Sequence, residues 1–143
     1  MTDFDLDTFI PYRLNRAAEA VSQRFAKLYR DRYGLTRPEW RTLAALGQLG
    51  RITATQVAKH SAMHKTKVSR AVASLEERRW LSRETDSEDR RVEWLVLTRQ
   101  GQASYADLSK VALDFQAGLV AKLGTDAATL NRELTAVEQA ASR

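Results

Sequence analysis

Apolar residues along the first third of the chain recur at alternating steps of three and four. Leu14, Ala18, Val21, Phe25 and Leu28 form one stripe, which predicts an amphipathic helix from about Phe9 to Tyr33. Pro11 fits the first turn, where a missing N–H costs little, and Gly34 fits the stop. A second helix is predicted from LTRPEWRTLAALGQLG. Thr36 is its N-cap, Pro38 lies in its first turn, Glu39 completes a capping box, and Trp40, Leu43, Ala44, Leu46 and Leu49 make its apolar face. Gly47 and Gly50 mark its end.

The next stretch, TATQVAKHSAMHKTKVSRAVASLEERRW, predicts two helices with a break between Ser61 and His64. Thr53 and Thr55 are both candidate N-caps for the first, and Val57 and Ala58 face inward. In the second, Val68, Val72, Leu75 and Arg79 fall on one line with Ala71 beside it. The solvent side of its first half then carries Lys65, Thr66, Lys67, Ser69 and Arg70.

From Trp80 the period changes to two. WLSRETDSEDRRVEWLVLT predicts strand, turn, strand, with Val92, Trp94 and Val96 on one face and Glu93, Leu95 and Leu97 on the other. The turn, Asp86 to Arg91, has neither Gly nor Pro, so Asp and Ser side chains are expected to supply its hydrogen bonds. Two strands alone are marginal, so the hairpin must lean on the helices before it. Helical spacing resumes after Thr98, a good N-cap, with Leu108, Val111, Ala112, Phe115, Leu119 and Leu123. Gly124 interrupts it, Thr125 or Asp126 caps a last helix, and Ala127, Leu130, Leu134, Val137 and Ala141 repeat at heptad-like steps.

The order is a helix-turn-helix followed by a β-hairpin, flanked by long amphipathic helices. The predicted fold class is mainly α (α+β), a winged helix-turn-helix in one domain spanning 1–143. Residues 34–98 form the winged core, and 1–33 and 99–143 supply dimerisation helices. The outer stripes have little in their own chain to cover them, and a symmetric pair with a second copy is the commonest closed solution.

Composition narrows the function. The chain has 143 residues and no cysteine, which removes disulfides, thiolate metal sites and thiol redox sensing. His60 and His64, its two histidines, lack the intervening carboxylate of a zinc hydrolase, so no metal is expected. No basic, apolar leader opens the chain and no apolar run approaches the ~20 residues of a membrane span, so a cytoplasmic protein is expected. No glycine-rich phosphate loop or nucleophile–base pair appears, so the expectation is no enzyme and no cofactor.

Net charge is +5, unevenly spread. Residues 51–83 hold eight Lys/Arg against two Glu, whereas residues 84–143 are net acidic. A basic segment inside a folded chain is the footprint of a polyanion-binding surface, although charge alone fits a solvated face equally well. Position separates these readings. The second helix of a helix-turn-helix enters the DNA major groove by its N-terminal residues, here His64, Lys65, Thr66, Lys67, Ser69 and Arg70. Arg70 suits a bidentate contact to guanine and Lys67 a single one, while Lys65 and His64 lie within reach of phosphate. At the hairpin tip, one of Arg90 and Arg91 can reach the minor groove while the aspartates hold the other, although this loop in isolation reads better as a solvated charged turn.

The run from Thr53 to Gly101 resembles the DNA-binding core of MarR-type transcriptional regulators. It has Leu75-Glu76 closing the recognition helix, an acidic wing with Asp86 and Asp89-Arg90-Arg91, and Leu97-Thr98 with Gly101. The flanking helices fit as well, so the resemblance spans nearly the whole chain. Trp80 stands where glycine is common after the recognition helix. The resemblance implies a homodimeric repressor on a pseudo-palindromic operator in double-stranded DNA. It also implies release by a small aromatic carboxylate, phenolic or acyl-CoA effector bound between the dimerisation helices and the winged core. Tyr12, Arg16, Trp40 and Arg41 are the candidates for that ligand, although such a Trp is more often a core residue and such arginines more often solvated or in an ion pair. A ligand-independent or architectural winged-helix DNA-binding protein is the alternative.

Overall fold

The computed structural model describes residues 3–142. After a short 3-10 turn at Leu6–Thr8 come α1 (Ile10–Tyr33), α2 (Arg37–Leu49), α3 (Ala54–Ser61), α4 (Lys65–Glu77), β1 (Leu81–Thr85), β2 (Glu93–Leu97), α5 (Arg99–Ala121) and α6 (Ala127–Ala141). This is a winged helix with long flanking helices. The chain divides into two compact units, one to Leu108 and one from Ser109. Gly101, Ser104 and Leu108 at the start of α5 are buried.

The caps explain the boundaries. Thr36 and Thr53 each form a capping box, with Glu39 and Gln56 respectively, and Thr55 lies inside α3. Gly34 ends α1 in the left-handed region, and Asp126 caps α6 by accepting from the Thr129 amide. Gly47 does not end α2. It lies within the helix, where a Cβ would overlap the Tyr105 ring, and the stop is Gly50. Leu123 falls in the turn beyond α5 and is exposed.

The end of α4 also differs from expectation. Arg79 leaves the helical line and takes φ 65°, while Trp80 turns back into the core. The Trp80 amide donates to the Leu75 carbonyl and the Arg79 amide to that of Glu76, the two bonds of a Schellman cap. The left-handed position that favours glycine is therefore Arg79, and Trp80 fills the apolar position after it. Arg79→Gly is expected to raise stability by about 0.5–1 kcal/mol, since an L side chain pays for left-handed backbone more than glycine pays in unfolded-state entropy. Thermal unfolding checks this, and an unchanged or lower Tm would contradict it.

The core joins Leu43 and Leu46 of α2, Val57 of α3, Val68, Val72 and Leu75 of α4, and Trp80, Leu81, Leu95 and Leu108. Tyr29 and Leu35 close it from the end of α1. The strands pair antiparallel, Leu81 opposite Leu97 and Thr85 opposite Glu93. Leu95 and Leu97 are buried, as the alternation requires, and Glu93 stays exposed beyond the core's edge. Ile52 adds a one-residue bridge to Leu95, exchanging both backbone hydrogen bonds, and so ties the α2–α3 connection to the wing.

One polar network links the winged core to its flanking helices. Glu39 accepts from the Thr36 amide and the Ser74 hydroxyl, and Arg78 lies 3.7 Å from it. Burial pushes this carboxyl up, but the bonds from Ser74 and Thr36 and the Arg78 charge hold it below the ordinary value. Its charged form thus contributes stability at neutral pH that is lost as pH falls through the lowered pKa. Arg78 donates to the carbonyls of Tyr33 and Gly34, and Asp107 of α5 accepts from Arg32 and the Tyr33 hydroxyl.

Candidate nucleic-acid interface

The placement of α4 follows from its buried seam. Val68, Ala71, Val72 and Leu75 face the core. At about 100° per residue, Thr66, Ser69, Arg70 and Ala73 fall on the opposite side, with Lys65 and Lys67 on the two flanks. All of these outer residues are exposed. Arg70 lies one turn beyond Thr66, and Ala73 beside them leaves room for close approach to a groove floor. Among the described residues, none of Lys65, Lys67 and Arg70 has an ion-pair partner. The charges are not neutralised by neighbouring acids, as a merely solvated salt-bridged face would be.

His64 has a further role that charge counting does not disclose. Its Nδ1 accepts from the Thr66 amide at 3.1 Å and caps α4. Nδ1 must therefore be unprotonated, which leaves Nε2–H as an outward donor. The imidazole belongs to the start of α4, with one nitrogen committed to the fold.

The hairpin tip divides its two arginines. Arg91 pairs with Asp89 through both Nε and Nη2, at 3.1 and 3.2 Å. Arg90 is exposed and has no ion-pair partner among the described residues. Asp86 organises the turn: it accepts the Trp94 indole N–H at 3.0 Å and the amides of Glu88 and Asp89. The Trp94 bond and those two amides hold its carboxyl below the usual range, and Arg91 does the same for Asp89. The aspartates thus supply the turn bonds, and among the described residues no such bond from Ser87 accompanies them.

Sequence patterning gave no sign of Arg51. Its guanidinium lies 4.7 Å from the centre of the Trp94 ring and pairs with Glu84, bracing the base of the wing. Arg51 is far from Trp94 in the chain, and a single bridging residue at Ile52 is too short to show a period.

The four candidate ligand residues do not converge within this chain. Tyr12 and Arg16 are neighbours on α1, the guanidinium 5.7 Å from the ring centre and 3.8 Å from Asp7. Trp40 packs into an aromatic cluster, its ring 5.2 Å from that of Phe25 and 5.9 Å from that of Tyr29. Phe25 is about 20 Å further along α1 than Tyr12. Arg41 faces a different cavity, beside the start of α4.

A family model described as the MarR family matches residues 33–92. The HTH-type transcriptional regulator YwoH of Bacillus subtilis (strain 168) is 26% identical over 110 residues, covering 77% of this chain and 79% of the relative. A MarR family transcriptional regulator from Silicibacter pomeroyi DSS-3 has a similar structure, with a TM-score of 0.84 at 29% identity over 96% of this chain and 98% of that one. BpsR of Bordetella bronchiseptica, whose DNA binding is regulated by 6-hydroxynicotinic acid, shares the fold with a TM-score of 0.83 at 20% identity and 99% coverage of both chains. Among the described residues, no helix is long and apolar enough to cross a membrane.

Proposed function

We propose that this chain, whose winged core matches the MarR family model over residues 33–92, is a MarR-type DNA-binding regulator and works as a homodimeric repressor on a pseudo-palindromic operator. The observation that carries this reading is the unpaired cationic and hydroxyl face at the start of α4, directly opposite its buried seam. Lys65, Thr66, Lys67, Ser69 and Arg70 face the duplex, with the Nε2–H of His64 beside them. Arg70 reads a base edge, and Arg90 enters the minor groove while Arg91 stays on Asp89.

A second copy is favoured by the apolar side chains left uncovered on the flanking helices. Leu14, Val21 and Leu28 recur at seven-residue steps on α1 and are exposed, as are Leu134 and Val137 of α6. Pairing through such helices sets the two recognition helices about one DNA turn, ~34 Å, apart. An effector that prefers another spacing shifts the population away from the DNA-competent state. BpsR responds to an aromatic acid, and we extend that class of effector, an aromatic carboxylate, phenol or its acyl-CoA thioester, to this chain. Tyr12 and Arg16 stay together on α1 as candidates for it, whereas Trp40 serves the core.

Two measurements test the reading. Sedimentation should give twice the 16.2 kDa mass of one chain, and a monomer at micromolar concentration would sink the dimer. Arg90→Ala should weaken operator binding roughly tenfold, about 1.4 kcal/mol, with Tm unchanged. Undiminished affinity in that variant would remove the wing from the interface.

A further inference from the structure

Beside α4 lies a cavity of about 360 Å³ that base reading does not explain. It is lined by Arg37, Pro38 and Arg41 of α2, by the Ala62–His64 turn and by Lys67. Four of these side chains are basic, and two, Arg37 and His64, are already engaged. Arg37 is neutralised by Glu19 of α1, which accepts from it at 3.0 and 3.2 Å. His64 caps α4, and Lys67 is the α4 flank that faces α2, lining both this cavity and the neighbouring groove of Thr36, Glu39 and Ser74. Arg41 remains. It is exposed and has no ion-pair partner among the described residues.

A helix of about 10–12 Å diameter fills a major groove about 12 Å wide, so a sugar–phosphate strand must run along each flank. On the Lys67 flank that strand passes over the first turns of α2. We propose that this cavity receives a backbone phosphate of the bound duplex and that Arg41 is the α2 residue that binds it, together with Lys67. The inference rests on α4 being the DNA-reading helix. It assigns α2 a direct part in binding that is independent of sequence, since a phosphate carries no base identity.

The test uses a duplex that the wild-type protein selects from a randomised library, beside a random duplex of equal length. Arg41→Ala should weaken both by a similar factor, roughly 5- to 30-fold at 0.15 M salt. The slope of log affinity against log salt should become shallower by about two, one for each protomer. Arg41→Lys should restore most of the slope. Replacing single phosphates by methylphosphonate should reveal one position per half-site whose neutralisation weakens the wild type more than Arg41→Ala, in which Lys67 alone still meets that phosphate. An unchanged slope in Arg41→Ala, or methylphosphonate losses equal in both proteins at every position, would overturn the proposal. Failure of the wild type to select any sequence would count against the specific regulator instead, and the slope on random duplex would still decide for or against Arg41.

Discussion

Gly101→Ala is expected to destabilise the chain by about 3 kcal/mol or more, lowering Tm by roughly 6–12 °C. Gly101 is buried in the first turn of α5, and a Cβ there would fall well inside contact distance of the Trp80 carbonyl oxygen. That carbonyl cannot move aside freely, because it accepts the Thr98 amide at 2.9 Å. The Thr98 hydroxyl in turn donates to the Arg79 carbonyl and accepts from the Gly101 amide. Two backbones therefore meet where the recognition helix ends, where β2 ends and where α5 begins. Both Trp80 and Leu97 on either side are core residues. Adding one methyl group should separate α5 from the wing, with thermal unfolding as the readout. A variant that melts within about 2 °C of wild type would show that this approach is not a constraint on the fold.

Arg70→Ala is expected to have the largest effect on DNA binding, with no loss of fold. Its side chain is exposed, faces away from the core and has no ion pair to lose. A bidentate base contact is worth about 1–3 kcal/mol of discrimination, so a dimer using two should lose roughly 2–6 kcal/mol on its selected duplex. The loss should be confined to one base pair per half-site, where the variant accepts all four pairs alike. Competition among duplexes substituted at each position measures this directly. Equal weakening on every duplex would recast Arg70 as a phosphate contact, the behaviour expected of Arg41. The two arginines are expected to contrast: loss of one should change the preference, loss of the other the salt dependence.

Much of the architecture was legible because its signals are local. Capping boxes lie within four residues, the change of period at Trp80 marks the wing, and the seam of Val68, Val72 and Leu75 assigns the outer face of α4. What escaped depends on contacts between distant residues. Gly47 looks like a helix stop, yet it sits mid-helix because the Tyr105 ring needs the space. The cap of α4 was placed one residue late, since only the fold shows that Trp80 is core and that Arg79 bears the left-handed turn. The Ile52 bridge and the Arg51–Trp94 contact join segments whose separation leaves no periodic trace. Types of candidate residue were easier to anticipate than their grouping. An arginine and an aromatic ring suit an aromatic acid wherever they occur, but Trp40 and Arg41 are adjacent on α2 and face different surroundings.

The most direct test of the account is a titration of the purified protein on its selected duplex, at two salt concentrations and against excess random DNA. The complex should survive the competitor and contain two protomers per site. It should weaken with salt on both duplexes while keeping its preference for the selected one. Binding that random DNA removes equally and that moderate salt abolishes would contradict this. The α4 face would then be a general polyanion surface rather than a reader of sequence.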